Sequence, residues 1–300
     1  MQRVIATSWP RASWRPIPLR RYAVFLGIAA LGAANAIGLA RMGSEVTTAG
    51  LPQAALIVGF DWQTFQQAGE LAVSGANPYE VAAYRWTPAA AWLVHWIALL
   101  PWPAWLLAHV GAALAMPSWR LRLLTLAAFP FWYDVMVGNI MVFVALAAVW
   151  ALRGNRLAIA ALLALTFLAP RPLMLPIAAW LLWTRPEWRL PAGAIAAAVV
   201  LGSAATGHLP QWIARLAESR DQIHTVVNVG PSAIIGLTWM PIGLVLAAVL
   251  AWRGRLGWAA VVVQPYLIPN YLLMLAVEVD QRRGVDSATT IKPSSSRATQ

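Results

Sequence analysis

From Trp86 to Trp119 the chain carries no Asp, Glu, Lys or Arg. A run of that length without charge decides which solvent the fold must tolerate. About 20 apolar residues in helical conformation cross a hydrocarbon layer roughly 30 Å thick. Only helices and closed barrels do so with every backbone N–H and C=O satisfied in the absence of water. Most windows of that size between Tyr22 and Val277 are apolar enough, and the whole chain is 60% hydrophobic and 11% charged. Soluble domains do not have such a composition. A soluble cytosolic enzyme is excluded, and the sequence predicts an all-α polytopic integral membrane bundle.

The net charge of +11 comes from 22 basic against 11 acidic residues, with Lys292 the single lysine. The arginines form no one patch. They punctuate apolar runs in small clusters, as the positive-inside rule requires, so they read as topology signals and no nucleic-acid partner is expected. Cysteine is absent, which removes disulfides, thiolate metal sites and cysteine nucleophiles.

Arg3, Arg11, Arg15, Arg20 and Arg21 precede the first apolar run with no acid among them, which predicts a cytoplasmic basic N-terminus over 1–21. Tyr22 to Ala40 reads as the first span, since it lacks a clean small-residue cleavage pattern and more spans follow. Arg41 to Arg85 carries Glu45, Asp61, Glu70 and Glu80 and belongs outside. Within it, Trp62, Phe65, Ala68, Leu71 and Ala72 recur at near-helical spacing. This predicts a helix from Asp61 to Ser74 in the membrane interface, ended by Gly75, Asn77 and Pro78.

Pro101 and Pro103 interrupt the uncharged Trp86–Trp119 run, which crosses either twice or once. A single crossing, with Thr87 to Leu100 half-embedded, places Arg120 and Arg122, Arg153 and Arg156, and Arg185 and Arg189 all inside. We adopt it. The later spans then fall at Leu121–Val137, Ile140–Leu152, Leu157–Ala169, Leu173–Trp183, Pro191–Thr206, Ala233–Leu250 and Leu256–Val277, for about nine in all. Residues 22–279 make the transmembrane domain, and 280–300 a polar Ser- and Thr-rich tail expected to be disordered.

On this topology several polar residues meet the outer face. Asp61 is either the N-cap of its helix or a carboxylate held at the membrane surface as a general base. Arg171, between Pro170 and Pro172, is the arginine that the charge rule leaves on the wrong side. It calls for an anion: a phosphate at headgroup depth, or an internal ion pair with Asp61, Asp134 or Glu80. Asp134 closes a span, where an acid is a functional candidate or one that snorkels to the interface. His208 and His224, on a second amphipathic stretch, are candidate substrate contacts or solvated loop histidines; His95 and His109 read as structural. No Walker loop, zinc pair, nucleophile elbow, acidic DxD pair or metal-ligand set is present, so no metal and no cofactor is expected.

The block from Asp61 to Trp105, with Asp61, Gly75, Pro78, Tyr79, Trp86 and Pro88, resembles glycosyltransferase family 87. That family comprises polyprenol-linked mannosyltransferase-like membrane enzymes of the GT-C superfamily. The resemblance continues through VGNIMVFVALAAVWALRG, LAPRPLMLPIAAWLLWTRPEWR and the loop from Gly207 to Gly236, and covers most of the chain from Asp61 to about Tyr271. Asn139 stands where the family has Gln and Arg171 where it has Lys, and the chain is short for the family.

The resemblance implies a GT-C-like bundle in the cell membrane with Asp61 as catalytic base. It also implies a binding set of Arg171, Asn139, Tyr79, Asp134 and His208, a polyprenyl-phosphate sugar donor and a lipid or glycan acceptor, with membrane lipids around it. The competing expectation is a noncatalytic carrier-binding protein or transporter for the same prenyl phosphates.

Overall fold

The computed structural model describes residues 59–218 and 228–281, together with Leu26, Gly27 and Ala30 of the first apolar run. The basic N-terminus, most of the Tyr22–Ala40 span, His224 and residues 282–300 of the expected 280–300 tail lie outside the described residues, whereas Asp280 and Gln281 of that tail continue a helix. Among these residues the fold is entirely helical, without strands.

Helix α1 (Phe60–Val73) matches the expected loop helix, and a 3₁₀ turn at Pro78–Glu80 follows it. Thr87 then caps α2 (Pro88–Ala98): its hydroxyl accepts from Ala90 N–H, and Pro88 sits at the first position, where no N–H is needed. Pro101 stops this helix, and α3 (Trp102–Leu114) departs at 105°. The uncharged run is therefore two helices with a sharp corner between them.

α4 (Trp119–Ala127) and α5 (Phe129–Val137) occupy the stretch expected as one span. They divide there because Pro130 cannot donate the backbone hydrogen bond that would join them. α6 (Met141–Leu152) and α7 (Arg156–Leu168) agree closely with expectation, and α8 (Leu175–Thr184) follows a 3₁₀ turn at Pro172–Met174. α9 (Arg189–Ala205) and α10 (Leu209–Glu218) come next.

The expected Ala233–Leu250 span is broken at Gly236 into α11 (Ser232–Ile235) and α12 (Trp239–Trp252). The expected Leu256–Val277 span is also interrupted. α13 (Leu256–Val262) ends before Pro265, and a 3₁₀ segment (Pro269–Met274) starts after it and runs on as helix to 281.

Two helical stretches, Pro186–Ala205 and Ser232–Trp252, are long and apolar enough to cross a membrane, and the bent α2–α3 pair makes a third if counted as one span. That is the membrane character the structure carries, against about nine spans expected. α6, α7 and α8 are apolar but shorter, and α6 at 1.5 Å per residue is only about 18 Å long. It is apolar all round and buries Met141, Val142, Val144, Ala145, Ala148 and Val149, as a helix at the centre of a bundle must. α9 and α12 instead expose Val200, Leu201, Leu244 and Val245.

The arginine-bearing turns gather at one end of this bundle. Trp150 Nε1, a turn before Arg153, donates to Ala115 O at the α3–α4 turn, 3.0 Å away. The Arg185 guanidinium lies over Gly154. Arg153 forms a bidentate pair with Asp280 at 2.7 and 2.8 Å, and Arg255 pairs with Glu278. The 275–281 helix thus ties the α6–α7 and α12–α13 turns together. Met141, at the opposite end of α6, lies beside Asp134.

Between α1 and α2 the approach is close enough that a Cβ on Gly69 would sit 2.7 Å from His95 Cα. Since the obstacle is backbone, no rotamer change relieves it. Gly69→Val is expected to cost about 1–3 kcal/mol, read as a lowered midpoint of thermal unfolding in detergent. Gly111→Ala, whose Cβ would meet nothing within 4 Å, should leave that midpoint unchanged or slightly higher.

Candidate functional site

The site begins with two glycines. Gly59, at φ 73°, N-caps α1 through its backbone, and its N–H donates to Met136 O at 2.7 Å, tying the start of α1 to the end of α5. Gly138, at φ 74°, ends α5 so close to α1 that a Cβ there would lie 2.7 Å from Trp62 Cβ. A side chain is excluded both by the left-handed backbone and by the contact. The α5–α6 turn is thereby pressed against the first turn of α1.

Asp61 is the second residue of α1 and caps nothing, so the reading of it as an N-cap is corrected: Gly59 holds that position. Its carboxylate accepts a hydrogen bond from Asn139 Nδ2 instead. Asn139 is fixed on every side. Its Oδ1 accepts from Ile140 N–H at 2.7 Å, its N–H donates to Asp134 O at 3.0 Å, and its carbonyl receives His109 Nε2 at 2.7 Å. His109 is fully buried, and its other ring nitrogen meets Trp105 O at 2.9 Å.

Asp134 lies beneath this turn with no exposure. One carboxylate oxygen accepts from Val142 N–H at 2.9 Å. The other accepts from Asn270 Nδ2 at 2.8 Å and from Met141 N–H at 3.3 Å. The Asp134 carboxyl thus caps the N-terminus of α6, satisfying N–H groups that the helix leaves orphaned. His109 Nε2 stands 3.8 Å from it. These bonds occupy its oxygens with protein donors and hold the Asn139 turn; they do not turn the carboxylate outward.

Arg171 approaches from the α7–α8 turn. Its Nη1 donates to Tyr271 OH at 3.0 Å, and the guanidinium carbon sits 5.4 Å from the centre of the Tyr271 ring. Tyr266 packs on Tyr271 with ring centroids 6.1 Å apart. No carboxylate comes within 4.0 Å of Arg171 among the described residues, so none of the internal ion pairs with Asp61, Asp134 or Glu80 forms. Among the described residues its hydrogen-bond partners are one hydroxyl and the Met141 sulfur at 3.9 Å. A guanidinium has five N–H donors in a fixed fork, so Arg171 retains donor capacity.

The two charges nevertheless sense each other. Burial pushes the Asp61 carboxyl up to about 6, and the positive charge of Arg171 and the amide of Asn139 limit that rise. A carboxylate of this kind takes up and releases a proton near neutrality, as general acid–base chemistry requires. Across a gap wider than an ion pair stands a cation with spare donors. That arrangement suits a substrate with a hydroxyl to be deprotonated at one end and an anion to be neutralised at the other.

Tyr79 and His208 do not join this constellation. Tyr79 is buried in the turn after α1: its hydroxyl donates to Trp86 O at 2.8 Å, and its carbonyl accepts from Arg215 of α10. Burial raises its phenol well above the usual range. His208 lines a cavity of about 440 Å³ with Ala72, Pro78, Pro88, Trp92 and Thr206. Ala72 is eleven residues along α1 from Asp61, about 16 Å by helical rise. Tyr79 therefore closes a loop, and His208 belongs to a separate cavity.

Asn270, Tyr271 and Tyr266 are the polar residues at the site that the pattern reading missed. Their signal was present as two prolines, Pro265 and Pro269, bracketing polar and aromatic residues inside an otherwise apolar run. Comparison with models of protein families, with curated proteins and with solved structures finds no match for this chain.

The raised Asp61 pKa has a consequence for stability. A carboxyl at about 6 in the folded protein against 3.8 unfolded binds its proton more tightly when folded. Its contribution is fully present below about pH 4 and is lost as pH rises through 6. Asp61→Asn should therefore match the parent near pH 4 and become the more stable of the two as pH climbs to 7. Unfolding midpoints of both proteins across that range measure the widening gap.

Proposed function

We propose that the chain is a membrane glycosyltransferase that moves a hexose from a polyprenyl-phosphate donor to a lipid or glycan acceptor on the extracytoplasmic side of the cell membrane. The observation that carries the reading is the paired geometry of Asp61 and Arg171. One is a carboxylate tuned near neutrality and held by Asn139, and the other is a guanidinium with no carboxylate within 4.0 Å among the described residues.

Asp61 takes the proton of the acceptor hydroxyl as its oxygen bonds to the anomeric carbon. The bond from that carbon to the phosphate oxygen breaks, and the electron pair leaves with the lipid phosphate, which Arg171 neutralises. Direct displacement inverts the sugar carbon. Asn139 holds the base, and Asp134 holds Asn139.

The resemblance to glycosyltransferase family 87 supports the same assignment through the order of its motifs around Asp61, Asn139 and Arg171. We read the bundle as GT-C-like, with about nine crossings, several of them made from short or proline-broken helices, and with the N-terminus in the cytoplasm. The arginine-bearing end is then cytoplasmic, by the charge rule.

Asp61→Asn should lower transfer from labelled prenyl-phosphate hexoses by about 10²-fold or more, the usual worth of a general base, while the protein stays at normal levels in the membrane. Parent activity should rise with pH through about 6 as Asp61 ionises. Unchanged turnover in Asp61→Asn eliminates the base. Donor binding that needs Arg171 but not Asp61, with no transfer at any pH, identifies a noncatalytic prenyl-phosphate carrier-binding protein instead.

A further inference from the structure

The end of the bundle opposite Asp61 is used by nothing in the mechanism, yet its turns are rich in charge. Its turns carry Arg120, Arg122, Arg153, Arg156, Arg185, Arg189, Arg253 and Arg255 against Glu187, Glu278 and Asp280. Arg153 and Arg255 are spent on the ion pairs with Asp280 and Glu278. Arg120, Arg156 and Arg253 are exposed, and their guanidinium groups hold no carboxylate and no hydrogen bond among the described residues.

Tryptophans accompany these arginines turn by turn. Trp119 precedes Arg120, whose guanidinium carbon lies 5.5 Å from the indole centre. Trp183 stands two residues before Arg185, and Trp252 immediately before Arg253; Trp183 is 77% exposed and Trp252 87%. Indoles left so open are costly against water but favourable at headgroup depth, where the ring rests on acyl chains and its N–H reaches water. The two stretches long enough to cross, Pro186–Ala205 and Ser232–Trp252, each have one end at this surface. That places these indoles where a span meets the aqueous phase.

We propose that this end is a docking surface for anionic phospholipid headgroups of one leaflet, with Arg120, Arg156 and Arg253 as the phosphate-facing cations and Trp119, Trp183 and Trp252 as the interfacial anchors. Charge complementarity selects this occupant. Planar guanidinium groups fork onto phosphate oxygens, the surrounding indoles set the depth, and a zwitterionic headgroup offers no net negative charge to meet the excess of arginine. The 275–281 helix, clamped at both acids, fixes the spacing of the turns and gives the surface one shape.

The full chain in nanodiscs of phosphatidylcholine alone, or of phosphatidylcholine with one third phosphatidylglycerol, tests this by thermal unfolding. We expect a midpoint roughly 5 °C higher with the anionic lipid, from attraction at several surface arginines. The gain should be lost at high salt. Adding millimolar inorganic phosphate to the neutral nanodiscs should not reproduce it. In the Arg120→Gln, Arg156→Gln, Arg253→Gln variant the gain should fall by more than half, and the corresponding three lysine substitutions should keep most of it. Equal midpoints for the parent protein in the two compositions overturn the proposal whatever the variants do, as does an anionic-lipid gain that survives the triple glutamine variant. Free phosphate giving the same shift would replace the leaflet with a soluble anion and overturn it equally. Because the readout is stability, the result is independent of whether Asp61 catalyses transfer.

Discussion

The hydrogen bond from Asn139 to the Asp61 carboxylate is the contact on which the site depends. Neither residue would be useful alone: a carboxylate at the start of α1 would drift among solvent and helix-end donors, and an amide at the α5–α6 turn would satisfy its own backbone. What joins them is the absence of a side chain at Gly138, which brings that turn within contact of Trp62. In an apolar bundle a polar group without a partner costs several kcal/mol, so each partner is secured by another. Asp61 is held by Asn139, Asn139 by His109 and Asp134, and Asp134 by the N–H groups opening α6 and by Asn270. The chain of dependencies ends only at helix backbone.

This gives Asp134 a different place from Asp61, although both are acids in apolar surroundings. Asp134 is fully buried and surrounded by protein donors, which suits a side chain that organises structure. Asp61 is half-buried, accepts from the Asn139 amide and faces a distant cation, which suits a group whose proton comes and goes. Arg171 likewise differs from the arginines at the other end of the bundle. Those sit in exposed turns, whereas it is held between prolines against the Tyr271 ring. The fold thus separates two uses of the same cation by roughly the length of α6.

Much of this architecture could be read from the residues. Proline placement located the corner between α2 and α3, amphipathic spacing located α1, and the ends of α6 and α7 were visible to within a residue or two. The failures share one cause. Leu121–Val137 and Leu256–Val277 read as continuous because their hydropathy is continuous, but Pro130, Pro265 and Pro269 interrupt backbone hydrogen bonding without making the sequence polar. The last of these mattered most, since the broken segment supplies Asn270 and Tyr271 to the site. Tyr79 and His208 were grouped with Asp61 by motif order, whereas α1 holds the two ends of that motif about 16 Å apart.

The residues by themselves determined that this chain is helical and apolar, where its charges punctuate the apolar runs, and that Asp61 and Arg171 needed explanation. Those properties are local: they depend on windows of a few to twenty residues and on the cost of leaving backbone or charge unsatisfied. Only the tertiary structure decided which polar groups meet. Asp61 finds its amide 78 residues away and Arg171 its phenol 100 residues away. Such partnerships are chosen by where glycines let helices touch and where prolines bend them, and no pattern along the chain records which of many equally polar side chains will arrive there.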